Sequence, residues 1–471
     1  MHRSISIVSL AVMPILLTGC GSLDRATGVA TGFVSHQLCS AAFVSGVEPE
    51  TFYRESIAPT LGPVEFLVSH RLDRERAEVT ATFAGLAPSR SVYRGPLGCL
   101  VLRGNPPAPV SLPQASAFPA LLPPIAGPEP VEPADPALRA ALDRAFTERS
   151  APPLRQTKAI VVVHNGRVIA ERYAPGYTMD TPLPGWSATK SVTNALLGIL
   201  VRQGKIAVQG PAPVAAWTSP GDPRHAISVD NLLRMSSGLD CGQSLTASAR
   251  DAFDPSAHMV FGERDMAAFA ASLPLKATPG TDWTYTNCNT LLLSQIIREK
   301  TGGDAAAVIA FARRELFDKL GMQHVTLEFD AVGTPIGASH MFASARDWAR
   351  FGLLYLDDGV AGNERLLPEG WVDYSATMTP GSEEFGYAAG FWTNRGPGSG
   401  THYRIAHGIP ADAFMARGAY GQYIVVVPSQ RLVVARFGTA LDMRNDMDGV
   451  ARLVADVIAL TPRSQAATVR P

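Results

Sequence analysis

Trp186-Ser187-Ala188-Thr189-Lys190-Ser191 is the stretch on which the interpretation of this chain depends. Lys190 is the only lysine in the chain with a serine three positions before it. An apolar helical pattern follows at 192–203, so both side chains are expected on one helix face, one turn apart. A lysine whose pKa is lowered by burial can take the proton of a serine hydroxyl. The stretch predicts a nucleophilic Ser187 with Lys190 as its base, the alternative being a surface serine and lysine at a helix start.

A second motif, Tyr285-Thr286-Asn287, favours the catalytic interpretation. A tyrosine beside a lysine can pass a proton between a nucleophile and a leaving group. An asparagine amide can orient both the lysine and a substrate carbonyl. We therefore predict that Tyr285 is the proton shuttle and Asn287 an orienting amide, the alternative for Tyr285 being a buried aromatic ring ahead of a helix.

Strands are predicted at the two ends of one domain, with helices between them. One hairpin turns at Asn165-Gly166 and another at Pro428-Ser429-Gln430. The strands are predicted at 158–164, 167–173, 422–427 and 432–437. The helices are predicted at 192–203, 290–300, 305–320, 343–356 and 446–460. This order predicts an α/β (α+β) fold, in which an antiparallel sheet is flanked by helices and a helical lobe lies across a cleft.

Composition divides the rest of the chain. Eleven prolines between Pro106 and Pro136 prevent a helix there, so this segment is a linker or a strap laid over a neighbouring surface. Before it, short apolar stretches broken by turn residues predict a small β-rich domain with strands at 31–34, 41–44, 64–68 and 79–83. The predicted units are a signal peptide at 1–19, the N-terminal domain at 20–104, the linker at 105–135, a catalytic domain at 136–462 and a tail at 463–471.

The first twenty residues predict export. A short basic start precedes an apolar run from Ile5 to Leu17 that is too short to span a bilayer comfortably. The next residues, Leu17-Thr18-Gly19-Cys20, resemble the bacterial lipobox, in which the cysteine is lipidated after cleavage. We therefore expect a protein anchored by lipid at Cys20 to the periplasmic face of the cell envelope, the alternative being an ordinary signal peptide.

The other four cysteines are an even number in a chain expected to meet an oxidising compartment. Nearness in sequence and domain favours Cys39 with Cys99 and Cys241 with Cys288 among the three pairings. Zinc binding is disfavoured, because no two of them stand two to four positions apart. We therefore predict two disulfides and no metal.

Charge balance excludes one class of partner. Lysine and arginine total 41 against 42 acidic residues, so the chain has no overall field to hold a nucleic acid. Hydrophobic residues make up 46%, which is enough for a substantial core. The expected partners are a small-molecule substrate and, through the lipid anchor only, a membrane.

Several motifs together resemble the serine β-lactamase and penicillin-binding superfamily. They occur in this order: Trp186-Ser187-x-x-Lys190-Ser191, Leu232 to Leu239, Tyr285-x-Asn287 and Ala345 to Gly352. The segment from Gly408 to Gly438 is most similar to the branch of class C-like esterases and 6-aminohexanoate-dimer hydrolase. The resemblance covers about 135–461 and implies an acyl-serine hydrolase with a β-lactamase/transpeptidase-like fold and no cofactor.

The resemblance also implies roles for single residues. It makes Ser187 the nucleophile, Lys190 the general base and Tyr285 the shuttle, and it places the oxyanion between the backbone N–H groups of Ser187 and Gln422. Many relatives carry Lys-Thr-Gly or His-x-Gly on the strand bordering the site. This chain has Ala419-Tyr420-Gly421, in which Gly421 still allows close approach to a substrate but the cation for a carboxylate is missing. Trp186 and Tyr420 are expected to contact the substrate.

Three functions follow as candidates. The first is hydrolysis of a small ester or amide through an acyl-Ser187 intermediate. The second is a cell-wall D-Ala peptidase or β-lactamase, which the missing cation disfavours. The third is a silent lipoprotein that binds an envelope component, which the retained Ser187, Lys190, Tyr285 and Asn287 disfavour.

Overall fold

The computed structural model describes residues 13–112, 119–244, 249–442 and 444–461, with side chains from Ser22 onward. The strands within them are β1 Val68–Asp73, β2 Glu78–Phe83, β3 Leu86–Tyr93, β4 Cys99–Val101, β5 Thr157–His164, β6 Arg167–Tyr173, β7 Leu183–Pro184, β8 Val325–Leu327, β9 Met341–Ala343, β10 Val360–Ala361, β11 Glu364–Arg365, β12 Trp392–Thr393, β13 Phe414–Gly418, β14 Gln422–Val427 and β15 Leu432–Gly438. The α-helices are α1 Met13–Cys39, α2 Pro49–Phe52, α3 Ala58–Leu61, α4 Pro136–Phe146, α5 Thr189–Arg202, α6 Val229–Leu233, α7 Pro255–Gly262, α8 Met266–Ser272, α9 Asn287–Thr301, α10 Ala305–Ala312, α11 Asp318–Leu320, α12 Ala345–Leu356, α13 Trp371–Ala376, α14 Ser399–Ala406 and α15 Met447–Leu460.

A six-stranded antiparallel sheet in the order β12-β13-β14-β15-β5-β6 forms the centre of the catalytic domain. The two predicted hairpins join at its middle, where β15 pairs with β5. One face packs on α4 and α15, with Val162 and Val434 in that core. The other face packs on α5 and α12, with Val161 and Val433 in that core. Both faces are covered, which explains why these strands are continuous apolar runs.

Most of the predicted helices are present with shifted ends. The helix predicted at 290–300 begins earlier, at Asn287, because the Thr286 hydroxyl caps it at the N–H of Cys288. The helix predicted at 305–320 is interrupted by a π-helical turn at Arg313–Phe317. Of the two, α9 packs on α5 and α10 packs on α9, so both belong to the helical lobe. The fold class predicted from the sequence is confirmed.

The N-terminal unit combines the long helix α1 with a four-stranded antiparallel sheet, β1-β2-β3-β4. The strand predicted at 79–83 is present in β2, but the segments 31–34 and 41–44 are helical and 62–67 forms a 3-10 turn. Val34 and Leu38 of α1 are both buried and stand four residues apart, which is the spacing of one face of a helix. Gly32 lets α1 approach Phe261, whose carbonyl oxygen would stand 2.8 Å from an added Cβ.

The predicted lipidation site and signal peptide are not tested. The side chain of Cys20 lies outside the described residues, as do residues 1–12 and 462–471. None of the described helices has the length and apolar character needed to cross a membrane.

Both predicted disulfides are present. Cys39 at the end of α1 is bonded to Cys99 at the start of β4. Cys241 is bonded to Cys288 in the first turn of α9, next to Asn287. The second bridge braces the loop that leads from α6 against the helix that carries the predicted orienting amide.

Residues 121–131 of the proline-rich segment lie as a strap on the catalytic domain. The N–H of Val168 in β6 donates to the carbonyl of Ile125 at 2.9 Å. Arg346 donates to the carbonyls of Gly127 and Glu129, each at 2.8 Å. The segment therefore covers the outer edge strand of the sheet.

Glu328 fastens the N-terminal unit to the catalytic domain. Its Oε1 accepts from the Ser40 hydroxyl at 2.9 Å and from the Cys99 N–H at 2.8 Å, while Oε2 lies 2.7 Å from His36 Nε2. Gly98, at φ +63°, makes room for it, since an added Cβ would stand 2.4 Å from Glu328 Cγ. All these partners come from the N-terminal unit.

We expect Glu328→Ala to lower the free energy of unfolding by about 3–5 kcal/mol, because it leaves three buried polar partners unpaired. Asp358→Ala is the control. Asp358 pairs with Arg365 at 3.1 Å, but both side chains are exposed, so the loss should stay below about 1 kcal/mol. Chemical denaturation followed by circular dichroism measures both, and equal stability of the two variants would contradict this account.

Candidate active site

Ser187 lies in a 3-10 turn at the start of α5. The turn spans Trp186–Ala188, and Trp186 has a left-handed backbone with φ +46°. Gly185 permits the tight entry, because an added Cβ would stand 2.3 Å from the Trp348 ring. Positive potential from the helix N-terminus acts on any negative charge that forms beside Ser187.

Lys190 is the second residue of α5, and its buried side chain points at Ser187, three residues earlier. Its Nζ lies 3.2 Å from Ser187 Oγ, 2.7 Å from Asn287 Oδ1 and 2.9 Å from the carbonyl oxygen of Ala338. Burial lowers the pKa of Lys190 to about 7. A neutral amine can donate to Asn287 and Ala338 and use its lone pair to accept the Ser187 proton.

Tyr285 lies beside this pair at the end of the loop before α9. Lys190 Nζ is 5.0 Å from the centre of its ring. Burial raises the pKa of Tyr285 to about 12, while hydrogen bonding with Ser187 and the charge of Arg417 act in the opposite direction. Rings of Tyr387 and Trp392 hold it in place at 5.3 and 5.4 Å. The phenol is therefore neutral at physiological pH and can donate a proton.

The strand that borders Ser187 is β13, and its last residue is Gly418. An added Cβ on Gly418 would stand 2.2 Å from the Gly185 carbonyl oxygen and 3.1 Å from Ser187 N, so only glycine fits. The predicted assignment of Gly421 and Gln422 to this position is wrong. Gly421 lies against Arg436 and Asn445, and the Gln422 side chain donates to the carbonyls of residues 419 and 438. Gly421 ends the 3-10 turn at 419–421, and Gln422 begins β14 as the cross-strand partner of Gly418.

Tyr420 and Trp186 meet above the nucleophile. Their ring centres are 5.0 Å apart, and the Tyr420 hydroxyl lies 3.2 Å from Thr60 Oγ1 of the N-terminal unit. The Trp186 ring also contacts Phe33 of α1 at 6.4 Å. The two aromatic side chains expected at the substrate are therefore buttressed by the N-terminal unit.

Two cavities meet at Ser187. The first, of about 430 Å³, is largely apolar and includes Phe33, Leu61 and Trp186 in its walls. The second, of about 690 Å³, is more polar and includes Tyr285 and Arg417. Four residues line both cavities and form the boundary between them, namely Ser187, Ser244, Ala419 and Tyr420.

The family model of beta-lactamases matches residues 142–459, about two thirds of the chain. The chain belongs to the beta-lactamase family. This confirms the resemblance drawn from the motifs. The match begins at residue 142, so it leaves the N-terminal unit out.

The proteins that this beta-lactamase-family chain resembles include a hydrolase and a carboxylesterase. The 6-aminohexanoate-dimer hydrolase of Paenarthrobacter ureafaciens is 25% identical over 330 residues, which cover 66% of this chain and 80% of that protein. A penicillin-binding protein homologue from Caulobacter crescentus has a TM-score of 0.54 at 16% identity, covering 70% of this chain and 98% of that one. A family VIII carboxylesterase has a TM-score of 0.51 at 14% identity, covering 71% and 100%. The chain is a serine hydrolase of the beta-lactamase family.

Two features of the site in this beta-lactamase-family chain were not predicted from the sequence. They are the position of Gly418 beside Ser187 and the contact of α1 with the site. The signal for Gly418 was present in Ala416-Arg417-Gly418, which ends an apolar strand, but a second glycine three residues later obscured it. The position two residues before Gly418, where many relatives carry lysine or histidine, is Ala416. No motif marks the contact of α1 with the site, because it is made by packing.

One cluster in the described part of the chain has spacing that suits a metal ion. It consists of His36, Glu328 and His340, whose ligand atoms lie within 4.8 Å of one another. Burial and the charges of His36 and Lys190 lower the pKa of His340 well below its usual value. Because His36 Nε2 already lies 2.7 Å from Glu328 Oε2, we interpret the cluster as a contact between the two units.

The Lys190 environment predicts a pH profile. With the pKa of Lys190 lowered to about 7, the amine is protonated and inactive as a base below that pH and neutral above it. We expect kcat/KM for ester hydrolysis to rise through a midpoint near pH 7 and level off above it. Lys190→Ala should lower turnover at least about a hundredfold and abolish this rise.

Stopped-flow or steady-state rates between pH 5.5 and 9 measure the profile. Arg202→Ala, at the far end of the same helix, is the control and should keep the wild-type midpoint. A flat wild-type profile, or a wild-type rate in Lys190→Ala, would contradict the assignment of Lys190 as base.

Proposed function

We propose that this chain hydrolyses a small ester or amide through a covalent acyl-Ser187 intermediate. The observation that carries the proposal is the 3.2 Å distance between Lys190 Nζ and Ser187 Oγ in a buried site. A nucleophile and a base within hydrogen-bond reach, with the base oriented by Asn287, form the arrangement that covalent catalysis requires.

In the proposed acylation, neutral Lys190 takes the Ser187 proton while Oγ bonds to the substrate carbonyl carbon. The bond to the leaving group then breaks, and Tyr285 gives its proton to the departing alcohol or amine. Tyr285 recovers a proton from Lys190, which returns to the neutral form. Water attacks the acyl-Ser187 ester by the same proton route in reverse, which releases the acid and restores the serine hydroxyl.

The N–H of Ser187 and the N–H of Ala419 are proposed to hold the oxyanion. Ala419 replaces Gln422 in this role, because it follows Gly418 directly and lines both cavities at Ser187. The absent Cβ of Gly418 allows the strand to come close enough for a backbone donor.

Neutral substrates are favoured by the residues around the nucleophile. Ala416 and Ala419 offer no cation, and Tyr420 offers a buried ring with a single hydroxyl. A cation at this strand would supply a charge-assisted hydrogen bond to a carboxylate worth about 1.5–3 kcal/mol, or roughly ten- to a hundredfold in binding. We therefore propose that penicillins and D-alanyl peptides bind weakly.

A β-lactamase or D-Ala peptidase activity is the second candidate, and Arg417 is the observation that favours it. The Arg417 guanidinium lines the polar cavity, 5.1 Å from the centre of the Trp392 ring. Its placement there could partly supply the charge that Ala416 lacks.

We expect neutral p-nitrophenyl esters to be turned over faster than nitrocefin or penicillin G under the same conditions, with some cleavage of small amides. Steady-state kinetics on wild type and Arg417→Ala measure this, with Arg452→Ala on the outer helix α15 as control. Arg417→Ala should leave neutral esters within about threefold. Efficient nitrocefin hydrolysis without esterase activity would favour the second candidate.

We also propose that the protein is exported and anchored by lipid at Cys20, from Leu17-Thr18-Gly19-Cys20. Cys20→Ala should move the chain from the membrane to the soluble fraction on centrifugation of cell lysates. Cys99→Ala, which keeps the lipobox, is the control. A membrane-bound Cys20→Ala variant would refute lipid anchoring at this site.

A further inference from the structure

The apolar cavity at Ser187 is built in large part by residues outside the family's matched range. One face of α1 lines it with residues spaced three or four apart, namely Ala26, Val29, Ala30 and Phe33. Leu61, Val64 and Phe83 of the N-terminal unit extend the wall. The family match begins at residue 142, so this wall is a feature added by the N-terminal unit.

Charged groups reach this cavity from one side only. Arg250, Asp251 and Asp254 belong to a single segment of the catalytic domain. Asp254 is engaged in capping α7, since its carboxylate accepts from the N–H groups of Ser256 and Gln243. The wall contributed by α1 carries no charged residue among those that line the cavity.

The position of Tyr285 indicates which cavity holds the leaving group and which holds the acyl group. Tyr285 lines the polar cavity and is absent from the walls of the apolar one. The group that protonates the leaving alcohol or amine must lie on the side where that group departs. The leaving group therefore occupies the polar cavity, and the acyl group lies on the opposite side of Ser187, in the apolar cavity.

Exposed apolar side chains line the apolar cavity or lie next in sequence or across a strand pair to residues that line it. Leu23 and Phe253 line the cavity and are each more than half exposed. Phe66 and Leu86 are exposed to a similar degree. Phe66 lies two residues from Val64, and Leu86 pairs with Phe83 across the β2–β3 turn, so both border residues of the wall. Large exposed apolar side chains in one place mark a surface that meets apolar material.

We propose that the substrate of this site carries a medium- to long-chain fatty acyl group, which occupies the apolar cavity with its far end toward Leu23. This inference rests on the proposed acyl-Ser187 hydrolysis and adds the acyl specificity. The cavity is several times larger than one that holds benzene, so an acetyl group would leave most of it empty. Each methylene buried on the way to the transition state can raise kcat/KM by up to about fourfold.

The test compares two isomeric esters, ethyl octanoate and octyl acetate, on the full-length protein below their aggregation limits. They have the same composition and differ only in which side of the scissile bond bears the chain. We expect kcat/KM for ethyl octanoate to exceed that for octyl acetate at least about tenfold. A p-nitrophenyl series from acetate to decanoate should show the same preference for the longer acyl group.

Ala30→Phe places a ring into the cavity from α1. It should lower the ratio of kcat/KM for p-nitrophenyl decanoate to kcat/KM for p-nitrophenyl acetate at least about tenfold, because the added ring takes up space that only the longer acyl group needs. Ala137→Phe, on the exposed face of α4, is the matched control and should change neither rate. The wild-type comparison of isomers stands by itself if Ala30→Phe does not fold.

The outcomes separate the two proposals. Hydrolysis of acetyl esters with equal or lower kcat/KM for octanoyl esters overturns the acyl specificity and leaves acyl-Ser187 hydrolysis in place. A preference for octyl acetate over ethyl octanoate overturns the assignment of the cavity to the acyl side. Absence of any ester or amide hydrolysis by a folded protein overturns the proposed function itself.

Discussion

The catalytic proposal depends on removing the Lys190 ammonium from water. A lysine pKa of about 7 in place of the usual value near 10.4 corresponds to roughly 5 kcal/mol of differential interaction between the two protonation states. That free energy is supplied by the rest of the fold, which buries α5 between the sheet and the helical lobe. The three groups around Nζ are all neutral, so none of them restores the charged form through an ion pair.

The N-terminal unit extends this exclusion of water to the substrate side. Thr60 contacts the Tyr420 hydroxyl and Phe33 contacts the Trp186 ring, so two side chains that flank the nucleophile are held from outside the catalytic domain. The contacts of Glu328 with His36, Ser40 and Cys99 fasten that unit in place. The contact between the N-terminal unit and the catalytic domain therefore determines both the stability of this interface and the shape of the apolar cavity.

The sequence was sufficient to predict the candidate catalytic residues, which lie in short local motifs. It was insufficient to predict the parts of the site that are formed by packing between distant segments. Ser187, Lys190, Tyr285 and Asn287 were named from two short motifs, and the structure gathers all four, because a helical turn and a helix start fix them locally. Gly418 and Gly421 each stand at the end of a three-residue segment that can be compared with the Lys-Thr-Gly motif of relatives, so the resemblance alone does not decide which glycine borders Ser187. The short apolar stretch 31–34 predicts a strand but lies in α1, because apolar runs of this length do not distinguish a strand from a buried helix. The apolar cavity is lined by chain segments more than a hundred residues apart, so no local sequence pattern can predict it.

The central claim is that Ser187 is the acylated nucleophile. Intact-protein mass spectrometry after treatment with a fluorophosphonate, followed by peptide mapping, tests it directly. The account predicts one adduct per chain on the peptide containing Ser187, no adduct in Ser187→Ala, and much slower labelling in Lys190→Ala. A folded wild-type protein that remains unlabelled, or an adduct on another residue that persists in Ser187→Ala, would contradict it.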